Sequence, residues 1–222
     1  MSKLPRRLIA IPNPDKSKHE KWTEDRDPID FPCPSRITLC GGVNMGKTTT
    51  IINILLRGDY EQILVIHCSS KNTKEFDSIS VKYIDSIMGP NEIIPMIGSQ
   101  KTAIILEDLD YTALKKQEKA NLDRLYGFVS THSGEGRGCT LFCTQQNVFS
   151  IPTSIRRMTS VFIMYRMNDT QALKNFSKKT GIDPLIFERY MSRLKGRDAL
   201  WIDLTPGSPY PLRINGYEMI DD

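Results

Sequence analysis

Residues 36–57 read RITLCGGVNMGKTTTIINILLR, a β-branched apolar run that passes through a glycine-rich turn into apolar positions at helical spacing. A strand feeding a helix through so short a turn is one unit of a parallel sheet, and a chain that repeats the unit must wrap helices over both faces of that sheet. Further apolar runs at 61–68, 80–85, 102–108, 139–145, 160–166 and 198–204 predict the remaining strands. Most of them are continuous rather than alternating, the pattern of strands buried on both sides. Helices are predicted over 46–57, 91–98, 112–131, 169–180 and 184–195, the last opened by Asp183 and Pro184 in cap and first-turn positions. The expected fold class is α/β, with a mostly parallel central sheet and helices on both faces.

Pro5, Pro12, Pro14, Pro28, Pro32 and Pro34 break up the first 35 residues, where neither a helix nor a central strand can persist. The expected organisation is an extended proline-rich arm over 1–35, lying along the domain or a neighbour, and one domain over 36–222. With 39% hydrophobic and 25% charged residues among 222, the composition is that of a soluble globular chain. No apolar run approaches the roughly 18 residues that would span a bilayer, and prolines interrupt the N-terminal apolar patch, unlike a signal peptide. Cys33, Cys40, Cys68, Cys139 and Cys143 have neither zinc-ribbon nor CxxC spacing, and read as reduced thiols of a cytosolic protein.

The glycine-rich turn matches GxxxxGK[ST] at Gly41, Gly46, Lys47 and Thr48, in the strand-to-helix context the motif requires. Glycines let successive backbone N–H groups point inward at phosphate oxygens, and the helix N-terminus adds partial positive charge. The predicted nucleotide cradle is Gly41, Gly42, Val43, Asn44, Met45, Gly46, Lys47, Thr48 and Thr49, with Lys47 on the terminal phosphates and the Thr48 hydroxyl on Mg2+. Hydrolysis of ATP also needs a carboxylate for the metal and a group to orient water. The run AIILED ends in Glu107 and Asp108. By position Glu107 faces the Mg2+ and Asp108 the water, with the metal assignment open among Glu107, Asp108 and, as a third candidate, Asp110. The strand CTLFCTQQN ends in amides, and Gln145 is the residue chosen to reach the γ-phosphate or its water.

Taken in order, GGVNMGKTTT, AIILEDLD, THSGEGRGCTLFCTQQNVF and PTSIRRMTSVFIMYRMND resemble the genome-packaging ATPases of double-stranded DNA viruses, in the FtsK-HerA class of P-loop NTPases. The resemblance covers roughly residues 36–200 and implies a RecA-like core of the ASCE type. It also implies a homo-oligomeric ring, usually a hexamer, that hydrolyses ATP at inter-subunit sites and drives duplex DNA into a preformed capsid at its vertex. The work would be done at assembly sites in the host cytoplasm or nucleus. A neighbouring subunit's arginine would stabilise the transferring phosphoryl group; Arg156 matches that position best, with Arg157 and Arg166 as alternatives. The sequence departs from the family at Glu107, where Asp is usual, and at Met158, where Asn is frequent.

The net charge of +4 is small, but a ring multiplies it, and residues 168–200 hold a local excess of +3. Lys174, Lys178 and Lys179 are candidate DNA contacts, as is Arg137 in the glycine-rich loop SGEGRG. DNA would be gripped by its backbone without base specificity. Two other readings compete: a nucleotide kinase or GTPase, for which the chain lacks an Arg-rich lid and an NKxD segment, and a capsid-assembly component with little turnover.

Overall fold

The computed structural model describes residues 18–66, 75–167, 173–174, 176–177 and 183–220. Its strands are β1 (Arg36–Cys40), β2 (Gln62–Ile66), β3 (Lys82–Ile84), β4 (Thr102–Leu106), β5 (Thr140–Gln145), β6 (Val161–Tyr165), β7 (Ala199–Asp203), β8 (Leu212–Ile214) and β9 (Glu218–Met219). They form one sheet in the order β3-β2-β4-β5-β1-β6-β7-β8-β9. All pairings from β3 to β6 are parallel, whereas β7, β8 and β9 add in antiparallel sense. The fold is thus the expected α/β class, and all seven predicted strands are present. The β8–β9 hairpin was not anticipated; three residues, Asn215 to Tyr217, join its strands, with positive φ at Asn215 (52°) and Gly216 (86°).

The helices are α1 (Lys47–Leu55), α2 (Pro90–Ile97), α3 (Lys116–Arg124), α4 (Ser130–His132), α5 (Thr153–Met158) and α6 (Pro184–Arg193). Two of them start where a side chain caps the helix end. Pro90 opens α2 while Glu92 accepts from Gly89 N, and Asp183 accepts from Leu185 N and Ile186 N at the head of α6. The predicted helix over 112–131 begins later, at Lys116, because Asp110 draws the amide and hydroxyl of Thr112 into a separate turn. It then widens into a π turn over Leu125–Val129, where the Arg36 guanidinium donates to the Tyr126 carbonyl at 2.9 Å. The helix predicted over 169–180 falls largely outside the described residues, as does Cys68.

Two apolar layers cover the sheet, and alternate residues of each strand feed them: Ile104 and Leu106 enter one, Ala103 and Ile105 the other. The second layer includes part of the arm. Ile29 and Phe31 are buried with Trp201 of β7, and the Phe31 ring stacks on Trp201 at 6.0 Å. Residues 18–35 therefore lie along their own domain, pinned further by Lys18 N donating to the Gly136 carbonyl and by Glu20 pairing with Arg26 and Lys101. If the arm is part of the core, Phe31→Ala should destabilise the protein by about 3–5 kcal/mol, the usual result of emptying a buried phenylalanine site. Urea unfolding followed by tryptophan fluorescence measures it; a loss under about 1 kcal/mol would place the arm outside the cooperative unit.

Candidate active site

β1 stands between β5 and β6, and the turn after Cys40 delivers the chain from the C-terminal edge of the sheet into α1. Gly41 is demanded by contact, since a Cβ there would sit 2.6 Å from Cβ of Tyr165 on β6. Asn44 (φ 60°) and Gly46 (φ 102°) take left-handed backbone that turns the first amides of α1 outward. These residues wall a cavity of about 360 Å3, lined on the loop side by Val43 to Thr49. The ammonium of Lys47 is buried and donates to the carbonyls of Gly41 (2.9 Å) and Gly42 (3.0 Å).

Across the cavity stand Glu75, Glu107 and Asp108. The Thr48 hydroxyl lies 3.4 Å from a carboxylate oxygen of both Glu107 and Glu75. Glu107 is buried and its carboxyl is pushed up to about 8, first by loss of hydration, then by Glu75 and the neighbouring Asp108. Its second oxygen, Oε2, is buried with no hydrogen-bond partner among the described residues. A hydroxyl beside a buried, under-satisfied carboxylate, with space for phosphate oxygens, is the hard-oxygen donor set that Mg2+ takes, completed by substrate and water instead of a protein cage. Among the described residues no group of three or more His, Cys, Asp or Glu forms such a cage.

Asp108 sits at φ 39°, an uncommon conformation for a non-glycine residue, and its amide donates to the Thr144 hydroxyl at 3.0 Å. Thr144 lines the cavity, but Gln145 does not. Successive strand residues face opposite sides, and the Gln145 amide is engaged behind the wall, donating to the Leu109 carbonyl at 3.0 Å and accepting from Ser150 at 2.8 Å. Asp110 is spent on the Thr112 turn and does not reach the cavity.

Arg156 lies on α5, away from the cavity of its own subunit. Its guanidinium stacks over Phe149 at 5.2 Å, donates to Thr153, and with Arg157 borders a separate depression floored by Phe162 and Phe176. Arg166 is exposed at the end of β6. Arg137 pairs with Glu61 at 3.6 Å, in a loop just before β5, at the end of the sheet opposite the cavity. Lys174 pairs with Glu188 at 3.6 Å, while Lys178 and Lys179 fall outside the described residues.

Three polar cavity residues escaped the sequence reading: Glu75, Thr144 and Arg197. Glu75 stands in no motif. Thr144 adjoins the residue that was chosen, and Arg197 sits in a KGRD turn directly before a strand, where a tight turn was legible but its direction was not.

No family model matches the chain, and no curated protein matches it. Solved structures do. The genome packaging NTPase B204 from Sulfolobus turreted icosahedral virus 2, in complex with ATP-gammaS, superposes with a TM-score of 0.55 at 19% identity, over 82% of this chain and 96% of that one. The same NTPase in complex with AMPPCP gives 0.57 at 17% identity, with the same coverage. The conjugation coupling protein TcpA of pCW3, in its monomer form with ATPgS, gives 0.56 at 13% identity over 86% of this chain and 62% of that one. The chain has the P-loop NTPase fold. The likeness to B204 spans nearly the whole of that protein and most of this chain.

The raised Glu107 carboxyl makes a pH prediction for metal-free protein. Between the ordinary carboxyl value of 4.5 and about 8 the folded state keeps a proton that the unfolded chain releases, so stability falls as pH rises through that window. Glu107→Gln removes the ionisation, and its melting temperature relative to wild type should rise steadily from pH 5 to pH 8. Thermal unfolding in EDTA measures it; a difference that does not vary with pH means that the carboxyl ionises normally.

Proposed function

We propose that the chain is an ATP-driven translocase of duplex DNA that packages a viral genome into a preformed capsid, working as a homo-oligomeric ring. The observation that carries the reading is the convergence, in one cavity, of Lys47, the Thr48 hydroxyl, buried Glu107 and the strained Asp108. That set can hold a triphosphate and activate water, and a site built only to cement subunits has no use for the second acid, Asp108. The likeness to a packaging NTPase along nearly its full length supports the choice of DNA as the load.

In this reading Lys47 exchanges the carbonyls of Gly41 and Gly42 for the terminal phosphates. Thr48 and Glu107 hold Mg2+, which when bound neutralises charge on the phosphoryl oxygens. Asp108 orients the attacking water and takes its proton, held in place through Thr144 and the Glu107–Leu109 segment that Gln145 anchors. No arginine of α5 reaches the cavity in its own subunit, so the charge-stabilising Arg156 acts on a neighbour, an effect of about 10³–10⁵ in rate. Duplex DNA is held by lysines and arginines repeated around the ring, without base readout.

ATPase rate with and without duplex DNA, taken with oligomer mass, tests the proposal. Stimulation by DNA, an assembled ring and abolished turnover in Lys47→Ala are expected; DNA-independent transfer to a small phosphoryl acceptor would indicate a kinase instead. Arg156→Ala subunits mixed with Lys47→Ala subunits should recover part of the activity, because each variant supplies what the other lacks. Well-formed mixed rings that stay inactive would exclude Arg156 as the residue acting between subunits.

A further inference from the structure

We propose that Arg197 binds the α-phosphate and ribose end of the nucleotide, within the same subunit whose Lys47 holds the terminal phosphates; the inference rests on reading the cavity as a nucleotide site. Arg197 lines that cavity yet comes from the far end of the chain, in the turn between α6 and β7. It is exposed and makes no ion pair or hydrogen bond among the described residues.

The turn that presents it is firmly built. Lys195 N donates to Asp198 Oδ2 at 2.9 Å and Asp198 N returns to the Lys195 carbonyl at 2.8 Å, while Gly196 supplies the positive φ of 53° the reversal needs. Asn215, from the β8–β9 turn, donates to Asp198 Oδ1 at 2.9 Å and accepts from Ala199 N at 3.0 Å. A cation on so fixed a base, with no partner among the described residues, is pre-arranged for an anion from outside.

Strand order decides which part of the nucleotide it meets. Across the sheet the sequence is β4-β5-β1-β6-β7. Glu107 and Asp108 follow β4, and Thr144 is the penultimate residue of β5, so the metal-binding and water-orienting groups stand on one flank of the phosphate loop. Arg197 precedes β7 and stands on the other. The γ-phosphate must lie beside the acids that act on it, and an extended triphosphate laid across the loop then carries its α-phosphate and ribose toward β6 and β7. The reverse orientation would leave the γ-phosphate with an arginine but no carboxylate to activate water. Arg197 therefore contributes to holding ADP as much as ATP, in contrast to an arginine that meets only the γ-phosphate.

Fluorescent mant-ADP and mant-ATP binding to wild type, Arg197→Ala, Arg197→Lys and Lys47→Ala, with Mg2+ present, tests this. Loss of one charge-assisted hydrogen bond should weaken both nucleotides alike, by roughly 10- to 100-fold. Lysine should restore part of the affinity, and in turnover the loss should fall on KM far more than on kcat. Arg197→Ala subunits mixed with Lys47→Ala subunits should recover no ATP affinity, since the contact lies within one subunit. Unchanged ADP binding with weakened ATP binding, a loss confined to kcat, or recovery on mixing would each overturn the assignment. If wild type itself bound no nucleotide, the underlying reading of the cavity would fail; wild-type binding with an unaffected Arg197→Ala would remove only this inference.

Discussion

The Tyr165 ring, wedged under the phosphate loop, sets the geometry on which the rest of the site depends. Its Cβ lies where any side chain at Gly41 would have to go, and its hydroxyl meets Thr50 Oγ1 on α1 at 2.6 Å. One residue of β6 thus touches both the entrance and the exit of the loop. With both ends held, the loop must curl through the left-handed positions at Asn44 and Gly46, the helix axis is fixed, and Thr48 comes within reach of Glu107 two strands away. Lys47 closes the curl by bonding two carbonyls of its own loop. The nucleotide cradle is therefore a property of three strands and a helix, and not of the glycine-rich segment alone.

The antiparallel extension is held by a different device. Arg213 on β8 is fully buried among the rings of Trp22, Phe31, Trp201 and Tyr210, at 5.2 to 5.9 Å, and none of its nitrogens has a hydrogen-bond partner among the described residues. Burial pulls the guanidinium down to about 10, so it remains charged near neutrality. The ring faces supply the negative potential that balances it. Two of these rings belong to the arm, one to β7 and one to the segment before β8, so the cation draws both ends of the domain together. Two residues further on, Asn215 ties the same hairpin to the Arg197 turn. Arm, hairpin and nucleotide cavity form one contiguous chain of contacts.

Much of this was legible in the sequence, and the limits are physical. Continuous apolar runs gave the parallel strands because burial on both faces leaves no polar position to blur them. The pairing of Thr48 with Glu107 followed from motif order, since only one acidic strand end lay at the right distance downstream. Direction was harder: ALWID reads the same whether its strand runs parallel or antiparallel, and it is that reversal which brings Arg197 to the cavity edge. At Thr144 and Gln145 the chemistry pointed to an amide and the pleat selected its neighbour. The arm's attachment was not legible, because a buried Arg among aromatic rings has no local pattern; its partners are separated by some 190 positions in sequence, from Trp22 to Arg213.

The polarity of the cavity ties these features together. Glu75, Glu107 and Asp108 on one wall would repel a polyphosphate, while Lys47 and the helix N-terminus attract it, so the bare cavity is electrostatically divided. Burial relieves part of the conflict by keeping a proton on Glu107. In the proposed reading a divalent cation held by Thr48 and Glu107 would supply the positive charge that relieves the remainder. Arg197, at the opposite end, extends the attraction along the chain of phosphates. A cavity divided in this way favours one orientation of a bound polyphosphate, its terminal charge toward Lys47 and the acids, whichever nucleotide supplies it.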